Sequence, residues 1–361
     1  MTASQHTALQ EAFTAMRRVA KVRHRDIAAK LGVSEGELVA AHVARPDEAP
    51  DRLMKAQRLR PEWPHIVQAL EPVGELLALT RNESCVHEKT GTYANASHTG
   101  AMGLVLGGAI DLRVFYRRWA HGFSIDEATE KGPQRSLQFF DAAGMAIHKV
   151  FMRDASDGAA WDALVARFAA EHQPAGIQVQ PAETAEPEAP DADIDAAAFR
   201  QAWASMRDTH EFFGVLKKHG LTRTQALRLA DPKFVQRVEA DAAPLMLQAA
   251  ARDGVPIMVF VGNPGMIQIH SGAVKKIVVM GPWLNVLDEG FNLHLRADHI
   301  ASAWVVGKPT SDGLVTSLEL FDASGQTIAM FFGERKPGKP ELPTWRSLVD
   351  AVVRETTPCA A

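Results

Sequence analysis

The stretch Ser136-Leu-Gln-Phe-Phe-Asp-Ala-Ala-Gly-Met-Ala-Ile147 decides how this chain is organised, because it occurs twice. Ser317-Leu-Glu-Leu-Phe-Asp-Ala-Ser-Gly-Gln-Thr-Ile328 repeats it at an offset of 181 residues. Each copy has an apolar run, an Asp-to-Gly turn and the start of a second run, which is the pattern of a β-hairpin. The repetition predicts a tandem duplication of one structural unit.

Two further resemblances occur in the same order along the chain. Gly220-Leu-Thr-Arg-Thr-Gln-Ala-Leu227 resembles Gly32-Val-Ser-Glu-Gly-Glu-Leu38 at an offset of 188 or 189, and His270-Ser-Gly-Ala273 resembles His98-Thr-Gly-Ala101 at an offset of 172. Residues 8–44 have a helical apolar period, whereas residues 65–152 hold short apolar runs separated by Gly, Asn and Asp. We therefore predict an α+β fold, a tandem structural repeat in which each half has helices plus a large antiparallel β-sheet.

A change in composition separates the two halves. Residues 174–195 contain four prolines, many acidic residues and few large apolar ones, which is typical of a linker with little to bury. We predict an N-terminal repeat at residues 1–173, an acidic Pro-rich linker at 174–196 and a C-terminal repeat at 197–361. Helical periods at 161–168 and 345–353 predict that a helix closes each repeat.

The composition excludes several classes of protein. The chain has 361 residues, 46% hydrophobic and 23% charged, with no apolar run long enough for a membrane span and no basic-then-apolar start that predicts an export signal. A net charge of −4 argues against a dedicated nucleic-acid binder. Two cysteines far apart, Cys85 and Cys359, exclude a disulfide framework and favour a cytoplasmic location.

The second half opens with a stretch in which one histidine stands among apolar residues. Phe199, Trp203, Met206, Phe213 and Leu216 recur at helical spacing, and a histidine at 210 falls between two of them. If a single helix continues through this stretch, the imidazole lies on the buried face. A neutral imidazole among apolar groups suits an axial ligand of haem iron, although it is also typical of an ordinary core histidine.

The residues around that histidine resemble a known family. Asp208-Thr-His-Glu-Phe-Phe213 and Leu216-Lys-Lys-His-Gly-Leu-Thr-Arg-Thr-Gln-Ala-Leu-Arg-Leu229 are similar to the haem-ligand segment of the bacterial cytoplasmic haem-trafficking proteins of the HemS/ChuS/PhuS type, also called haemin-degrading factors. The resemblance covers nearly the whole chain and includes Leu79-Thr-Arg-Asn-Glu-Ser-Cys-Val-His-Glu-Lys-Thr-Gly91, Ile110-Asp-Leu-Arg-Val-Phe-Tyr-Arg-Arg-Trp119 and Val306-Gly-Lys-Pro-Thr310.

The resemblance implies a set of site residues. His210 falls on the proximal iron ligand of the family, Arg113 on an arginine across the haem, and Phe115 on a pocket residue. Arg223 and Lys308 fall on cations of the same site. The family also implies haem b (iron protoporphyrin IX) as the bound group, in a cleft between the halves.

The residues taken alone leave alternatives open. Strand alternation puts Arg113 and Phe115 on one face of a strand, but an exposed sheet-face arginine has the same pattern. Arg335 and Lys336, just after an apolar run, are similar candidates to Lys308 for contact with a haem propionate. His219 is close enough in the chain to replace the expected ligand.

Three functions compete. The first, favoured by the resemblance, is a carrier for iron acquisition that receives haem from a haem importer, sequesters it and delivers it to a haem oxygenase. The second is a haem-degrading enzyme using external reductant and oxygen, with Arg113 as the only distal candidate. The third is a helix-turn-helix DNA reader at residues 25–44, which Glu35 and Glu37 disfavour because its second helix needs basic or amide side chains.

Overall fold

The computed structural model describes residues 2–20, 22–44, 52–183, 187–335 and 338–357. Its first half contains five α-helices and nine β-strands among the described residues. In chain order they are α1 (Ala3–Val19), α2 (His24–Leu31), α3 (Glu35–Ala40), β1 (Met54–Arg58), α4 (Trp63–Gln68), β2 (Gly74–Arg81), β3 (Cys85–Gly91), β4 (Ser97–Thr99), β5 (Met102–Val105), β6 (Asp111–Phe115), β7 (His121–Thr129), β8 (Gly132–Phe140), β9 (Ala146–Ser156) and α5 (Gly158–Phe168).

The second half has the same succession of helices and strands. Its described elements are α6 (Ala196–Ala204), α7 (Glu211–His219), α8 (Arg223–Leu229), β10 (Val235–Val238), α9 (Ala242–Asp253), β11 (Ile257–Asn263), β12 (Met266–Gly272), β13 (Ile277–Met280), β14 (Trp283–Asp288), β15 (Phe291–Arg296), β16 (Ser302–Thr310), β17 (Gly313–Phe321), β18 (Thr327–Gly333) and α10 (Pro343–Thr356).

The chain forms two units that exchange a short segment. The first unit comprises Met1–Arg81, Glu88–Glu183 and Asn263–Gln268, and the second comprises Asn82–His87, Thr184–Gly262 and Ile269–Ala361. The exchanged segments are related by the offset of 181 that relates the two hairpins. The exchange is therefore a feature of both repeats.

In the first unit, five antiparallel strands pair in the order β1, β7, β8, β9, β2, and β4, β5 and β6 form a separate antiparallel run. Two apolar clusters cover the five strands. One joins Phe140 to α1–α3, and the other joins Leu137 and Phe139 to α4 and α5. Because helices cover both faces, β8 is buried continuously over its last five residues instead of alternating.

The second unit repeats this arrangement. Its five strands pair antiparallel in the order β10, β16, β17, β18, β11, and β13, β14 and β15 form the shorter run. One apolar cluster joins Leu318 and Leu320 to α9 and α10, whereas the other joins Val306 and Phe321 to α6–α8. The predicted tandem α+β fold is confirmed.

Local contacts show why the repeated motifs form the same structures. Ser34 Oγ accepts a hydrogen bond from the Glu37 backbone N–H at 3.2 Å, and Thr222 Oγ1 accepts one from Gln225 at 3.1 Å, so both helices that follow a Gly turn begin with a side-chain cap. In both hairpins, an aspartate side chain accepts backbone N–H groups of the turn. Two of the three predicted correspondences thus hold.

The third correspondence is wrong. His98 lies on β4, the fourth strand of its half, whereas His270 lies on β12, the third strand of its half. The two four-residue motifs therefore occupy different places in the repeat. A motif of four residues is too short to define an apolar face or a turn. Its repetition in the sequence therefore does not require the same structure.

Two equivalent asparagines fix the exchanged segments. Asn263 Nδ2 donates to the backbone carbonyls of Arg81 at 2.9 Å and Ile147 at 2.8 Å within the first unit. Asn82 Nδ2 makes the corresponding bonds in the second unit, to the carbonyls of Gly262 at 3.1 Å and Ile328 at 2.8 Å. Each amide thus satisfies two strand carbonyls at the point where the exchanged segment begins.

Glycine at the end of β18 is required by close packing. A Cβ on Gly333 would lie 2.5 Å from Cγ of the fully buried Trp345, whose Nε1 donates to the Thr316 carbonyl at 3.1 Å. Because that ring is anchored and cannot retreat, we expect Gly333→Ala to lower the free energy of unfolding by about 1–3 kcal/mol. Urea denaturation measures this.

Gly158→Ala is the matched control for that substitution. Gly158 begins α5, and a Cβ there meets no atom within 4 Å. The control should leave stability unchanged or raise it by up to about 1 kcal/mol, because alanine favours a helix. Equal effects of the two substitutions would show that the contact with the indole ring is not the cause.

Candidate functional site

The structure places His210 differently from the prediction. The residue is the N-cap of α7, and 91% of its side chain is exposed. The prediction that it lies on a buried face is wrong because two helices replace the expected single one: α6 ends at Ala204 and α7 begins at Glu211. The restart shifts the helical phase, so Phe212 is buried whereas Phe213 is 76% exposed.

Asp208 orients the imidazole of His210. Its Oδ1 accepts the His210 backbone N–H at 2.8 Å and lies 2.6 Å from ring Nδ1. Those two contacts hold the pKa of Asp208 below its ordinary value, and Arg335 adds a smaller contribution of the same sign. A carboxylate at Nδ1 leaves Nε2 as the nitrogen that faces outward, which is the arrangement found at many metal-bound histidines.

An exposed aromatic ring lies beside this imidazole. His210 has helical backbone angles, so Phe213, three residues later, is its neighbour on the surface of α7. A single exposed apolar side chain is common on protein surfaces, but beside an imidazole this phenyl ring offers an apolar contact next to a nitrogen donor. A nitrogen donor and an apolar surface thus occur together at the start of one helix.

Two of the predicted cations lie deeper in the same unit, on one carboxylate. Arg223, the first residue of α8, donates from Nε and Nη2 to Glu319 at 2.7 and 2.8 Å. Lys308, on β16, donates from Nζ to Glu319 Oε1 at 2.6 Å. Burial alone would raise the pKa of Glu319, but the two cations hold it far below its usual range. Burial lowers the pKa of Lys308 to about 8.

Phe212 connects this buried ion cluster to α7. Lys308 Nζ lies 4.9 Å and Arg223 Cζ 5.2 Å from the centroid of its ring. The ring also packs edge-on against Trp203, with centroids 4.7 Å apart. The helix that begins beside His210 is therefore held against the sheet by an aromatic ring lying over two cations.

The remaining predicted residues divide between the units. Arg335 follows β18 in the second unit and lies 3.6 Å from Asp312, whereas Lys336 lies outside the described residues. Arg113 and Phe115 belong to the first unit, on the half-buried face of β6, where Arg113 pairs with Asp111. The second unit thus brings together His210, Arg223, Lys308 and Arg335. The cleft between the halves stays a prediction.

The first unit contains a buried ion cluster of its own. Glu35, the first residue of α3, pairs with Lys149 on β9 and with Arg81 Nη2 at 2.5 Å. Burial alone would raise the pKa of Glu35, but Lys149 and Arg81 hold it well below its usual range. Because most of α3 is buried around this cluster, it cannot enter a DNA groove as a recognition helix.

The two clusters occupy equivalent places with opposite charges. Arg223 stands where the first half has Glu35, and Met330 stands where it has Lys149. Glu319, on the strand next to Met330, replaces a glutamine of β8. In the first unit a strand cation holds a helix anion, whereas in the second a strand anion holds a helix cation. Both repeats thus have an ion pair between helix and strand, but the positions of the positive and negative charges are exchanged.

His219 is poorly placed as an alternative ligand. It ends α7, about 13 Å along the helix from its start, and its ring packs against Phe199 with centroids 5.8 Å apart. Among the described residues, no group of three or more His, Cys, Asp or Glu could hold a metal ion. The same residues include no helix both long and apolar enough to cross a membrane.

These two units define a duplicated α+β protein, and one of them presents an imidazole supported by a carboxylate beside an exposed phenyl ring. The chain belongs to the family described as "Haemin-degrading HemS.ChuX domain", whose sequence profile matches residues 32–168 and 220–352. It is 40% identical to hemin transport protein HmuS of Yersinia pestis over 332 residues, 92% of this chain and 93% of the relative.

Solved structures agree with this membership. Crystalline holo-PhuS, a heme-binding protein from Pseudomonas aeruginosa, matches with a TM-score of 0.91 and 46% identity, over 96% of this chain and 98% of that one. ChuS, described as an Escherichia coli heme oxygenase, matches with a TM-score of 0.83 and 39% identity, over 96% and 99% of the chains. The relatives thus include both a binding protein and an enzyme.

Sequence reasoning missed three residues of this region. Asp208 contacts His210, Glu319 binds both predicted cations, and Phe212 packs over them. The Asp-x-His spacing was a usable signal, since aspartate often accepts the backbone N–H two residues on. The second usable signal was the replacement of a glutamine in the first hairpin by Glu319 in the second.

Proposed function

We propose that this chain is a cytoplasmic haem-binding protein that sequesters imported haem b and delivers it to a haem oxygenase. The observation that carries the proposal is the imidazole of His210, with Nδ1 bound to Asp208 and Nε2 facing outward beside exposed Phe213. The names of the relatives support haem as the cargo, and a haem importer is the expected donor.

The residues of the second unit suit a haem. His210 supplies one nitrogen donor, Phe213 an apolar surface, and Arg335 a guanidinium that can pair with a propionate carboxylate. Arg223, Lys308 and Glu319 together have a net charge of +1. Their cluster therefore also attracts the edge of the haem that carries the propionates. Arg113 and Phe115, in the first unit, stay proposed contacts of the haem.

A carrier agrees better with this geometry than an enzyme does. A single exposed imidazole should release iron more readily than two strong ligands would, which suits a carrier. Degradation needs a group that positions oxygen, and Arg113 is the one candidate proposed. The second candidate function, haem degradation, is favoured by one specific observation, the similarity to ChuS, which is described as a heme oxygenase.

Replacing the proposed ligand tests the site directly. We expect His210→Ala to weaken haemin binding by at least about 100-fold and to shift the Soret band, since the loss of a ligand should exceed the loss of an outer-shell partner. Titration of the protein with haemin, followed by absorbance, measures both quantities. His219→Ala is the control from the same helix and should keep the wild-type spectrum. An unchanged spectrum and affinity in His210→Ala would disprove the site.

Two assays on the loaded protein separate the candidate functions. For a carrier, haem transfer to an apo haem oxygenase accelerates with acceptor concentration, whereas transfer to apomyoglobin proceeds at the slow rate of dissociation. For an enzyme, a reductant and oxygen convert bound haem to a tetrapyrrole product even when catalase removes free peroxide. Transfer at one rate to both acceptors would argue against delivery.

A further inference from the structure

One oxygen atom of Asp208 contacts two groups of the same histidine. Oδ1 accepts the backbone N–H of His210 at 2.8 Å and the ring Nδ1 at 2.6 Å. A carboxylate can only accept, so Nδ1 carries the hydrogen, and in the neutral ring Nε2 keeps its lone pair. The pair therefore fixes the position of the ring and its tautomer before any ligand arrives.

We propose that Asp208 is a positioning residue for iron binding by His210, holding the imidazole in the Nδ1–H tautomer and making Nε2 a stronger donor to ferric haem. The inference rests on the proposed haem site. A carboxylate that accepts the Nδ1 hydrogen raises the basicity of the ligand. A more basic ligand favours ferric over ferrous iron, so Asp208 should also lower the reduction potential of the bound group.

The exposure of the pair argues against a purely structural role. His210 is 91% and Asp208 60% exposed, and such surface pairs contribute little to stability. The turn itself needs only the backbone contact, which an asparagine side chain can also accept. The ring contact gains strength when a bound apolar ligand excludes water around it. Its effect should therefore be seen in ligand binding.

A second aspartate in the same unit forms the same turn without an imidazole. Asp231 Oδ1 accepts the Lys233 backbone N–H at 3.1 Å, and its Oδ2 lies 3.0 Å from the Lys233 ammonium. Asp231→Asn removes one exposed carboxylate from an equivalent turn. It therefore controls for the loss of charge at a position that has no histidine.

Asp208→Asn separates the ring contact from the turn. In the ligand-free protein, nitrogen-15 NMR of the His210 ring should change from the Nδ1–H tautomer to a mixture. With haemin, affinity should fall about 10-fold. The ferric/ferrous midpoint should move to a more positive potential, and the iron–histidine stretching band of the reduced complex should fall in frequency. Asp231→Asn should match wild type in all four measurements.

The outcomes distinguish this inference from the proposed function. If His210→Ala abolishes ligation but Asp208→Asn keeps the wild-type tautomer, affinity, potential and stretching band, Asp208 only forms the turn and the inference fails. If His210→Ala binds haemin as wild type does, the proposed site fails instead. An equal change of potential in Asp208→Asn and Asp231→Asn would assign the effect to net charge and overturn the role of Asp208.

Discussion

Replacing Glu319 with glutamine is expected to lower the free energy of unfolding by about 3–5 kcal/mol, the usual cost of breaking a buried ion pair from one side. Glu319 is fully buried and is the shared partner of Arg223 and Lys308. Glutamine preserves the size of the side chain but removes the charge. Two cations would then remain close together, desolvated and without their carboxylate.

The size of this effect should depend on pH. Glu319 raises the pKa of Lys308 against the effect of burial, so its loss lets the lysine release its proton more easily. A neutral amine is less costly to bury than an ammonium group. We therefore expect the destabilisation to be larger at pH 6 than at pH 9. Urea denaturation of wild type and variant at both pH values measures it.

Two further variants test the cause. Asp253→Asn removes the carboxylate of the exposed Arg252–Asp253 pair in the same unit and should leave the stability essentially unchanged, because water screens such a pair. Combining Glu319→Gln with Lys308→Met removes one of the two uncompensated cations and should recover part of the loss. A loss below about 1 kcal/mol in Glu319→Gln alone would show that water or another group compensates the cations.

The reversal of charge between the two clusters shows what a duplicated sequence can reveal. The hairpins and the capped helices were predictable because each is fixed by a few neighbouring residues, such as the aspartate and glycine of the turn. The ion clusters join a helix to a distant strand. Their equivalence becomes visible only when Arg223 is compared with Glu35 and Met330 with Lys149, and the pairing itself needs the fold.

The wrong prediction for His210 has a different origin. An apolar period over 199–216 predicts one helix only if nothing interrupts it, and Asp208 interrupts it by binding the backbone N–H of His210. Propensity for a local turn thus overrode the periodicity. The exchanged segments at 82–87 and 263–268 were not predictable for another reason. Nothing in a single strand indicates which of two similar sheets it joins.

The strongest dependence on pH is expected from two histidines of the first unit. Burial lowers the pKa of His148 to about 3 and that of His42 to about 4. Tyr93 Oη lies 2.7 Å from His148 Nε2, and Thr80 Oγ1 lies 2.8 Å from its Nδ1, so this ring is enclosed in a buried hydrogen-bonded network. His42 Nδ1 lies 2.8 Å from the Leu38 carbonyl. Both rings are neutral in the folded protein.

Acidification should therefore destabilise the first unit well before its carboxylates are protonated. Below the ordinary pKa of about 6.5, the unfolded chain binds a proton at each histidine and the folded chain does not, so stability falls as pH falls. Each group contributes about 1.4 kcal/mol per pH unit, and the two together cost about 5 kcal/mol by pH 4.5. That is comparable with the total stability of many domains.

Urea denaturation at pH 7.0, 6.0, 5.0 and 4.5 measures this slope. His148→Gln cannot take up a proton and should reduce the slope by about half, even though it also loses stability at pH 7 by disturbing the contact with Tyr93. His65→Gln is the matched control, since 56% of the His65 side chain is exposed, and it should keep the wild-type slope. If His148→Gln keeps the full slope as well, the acid sensitivity comes from other groups and the buried imidazole of His148 is not its source.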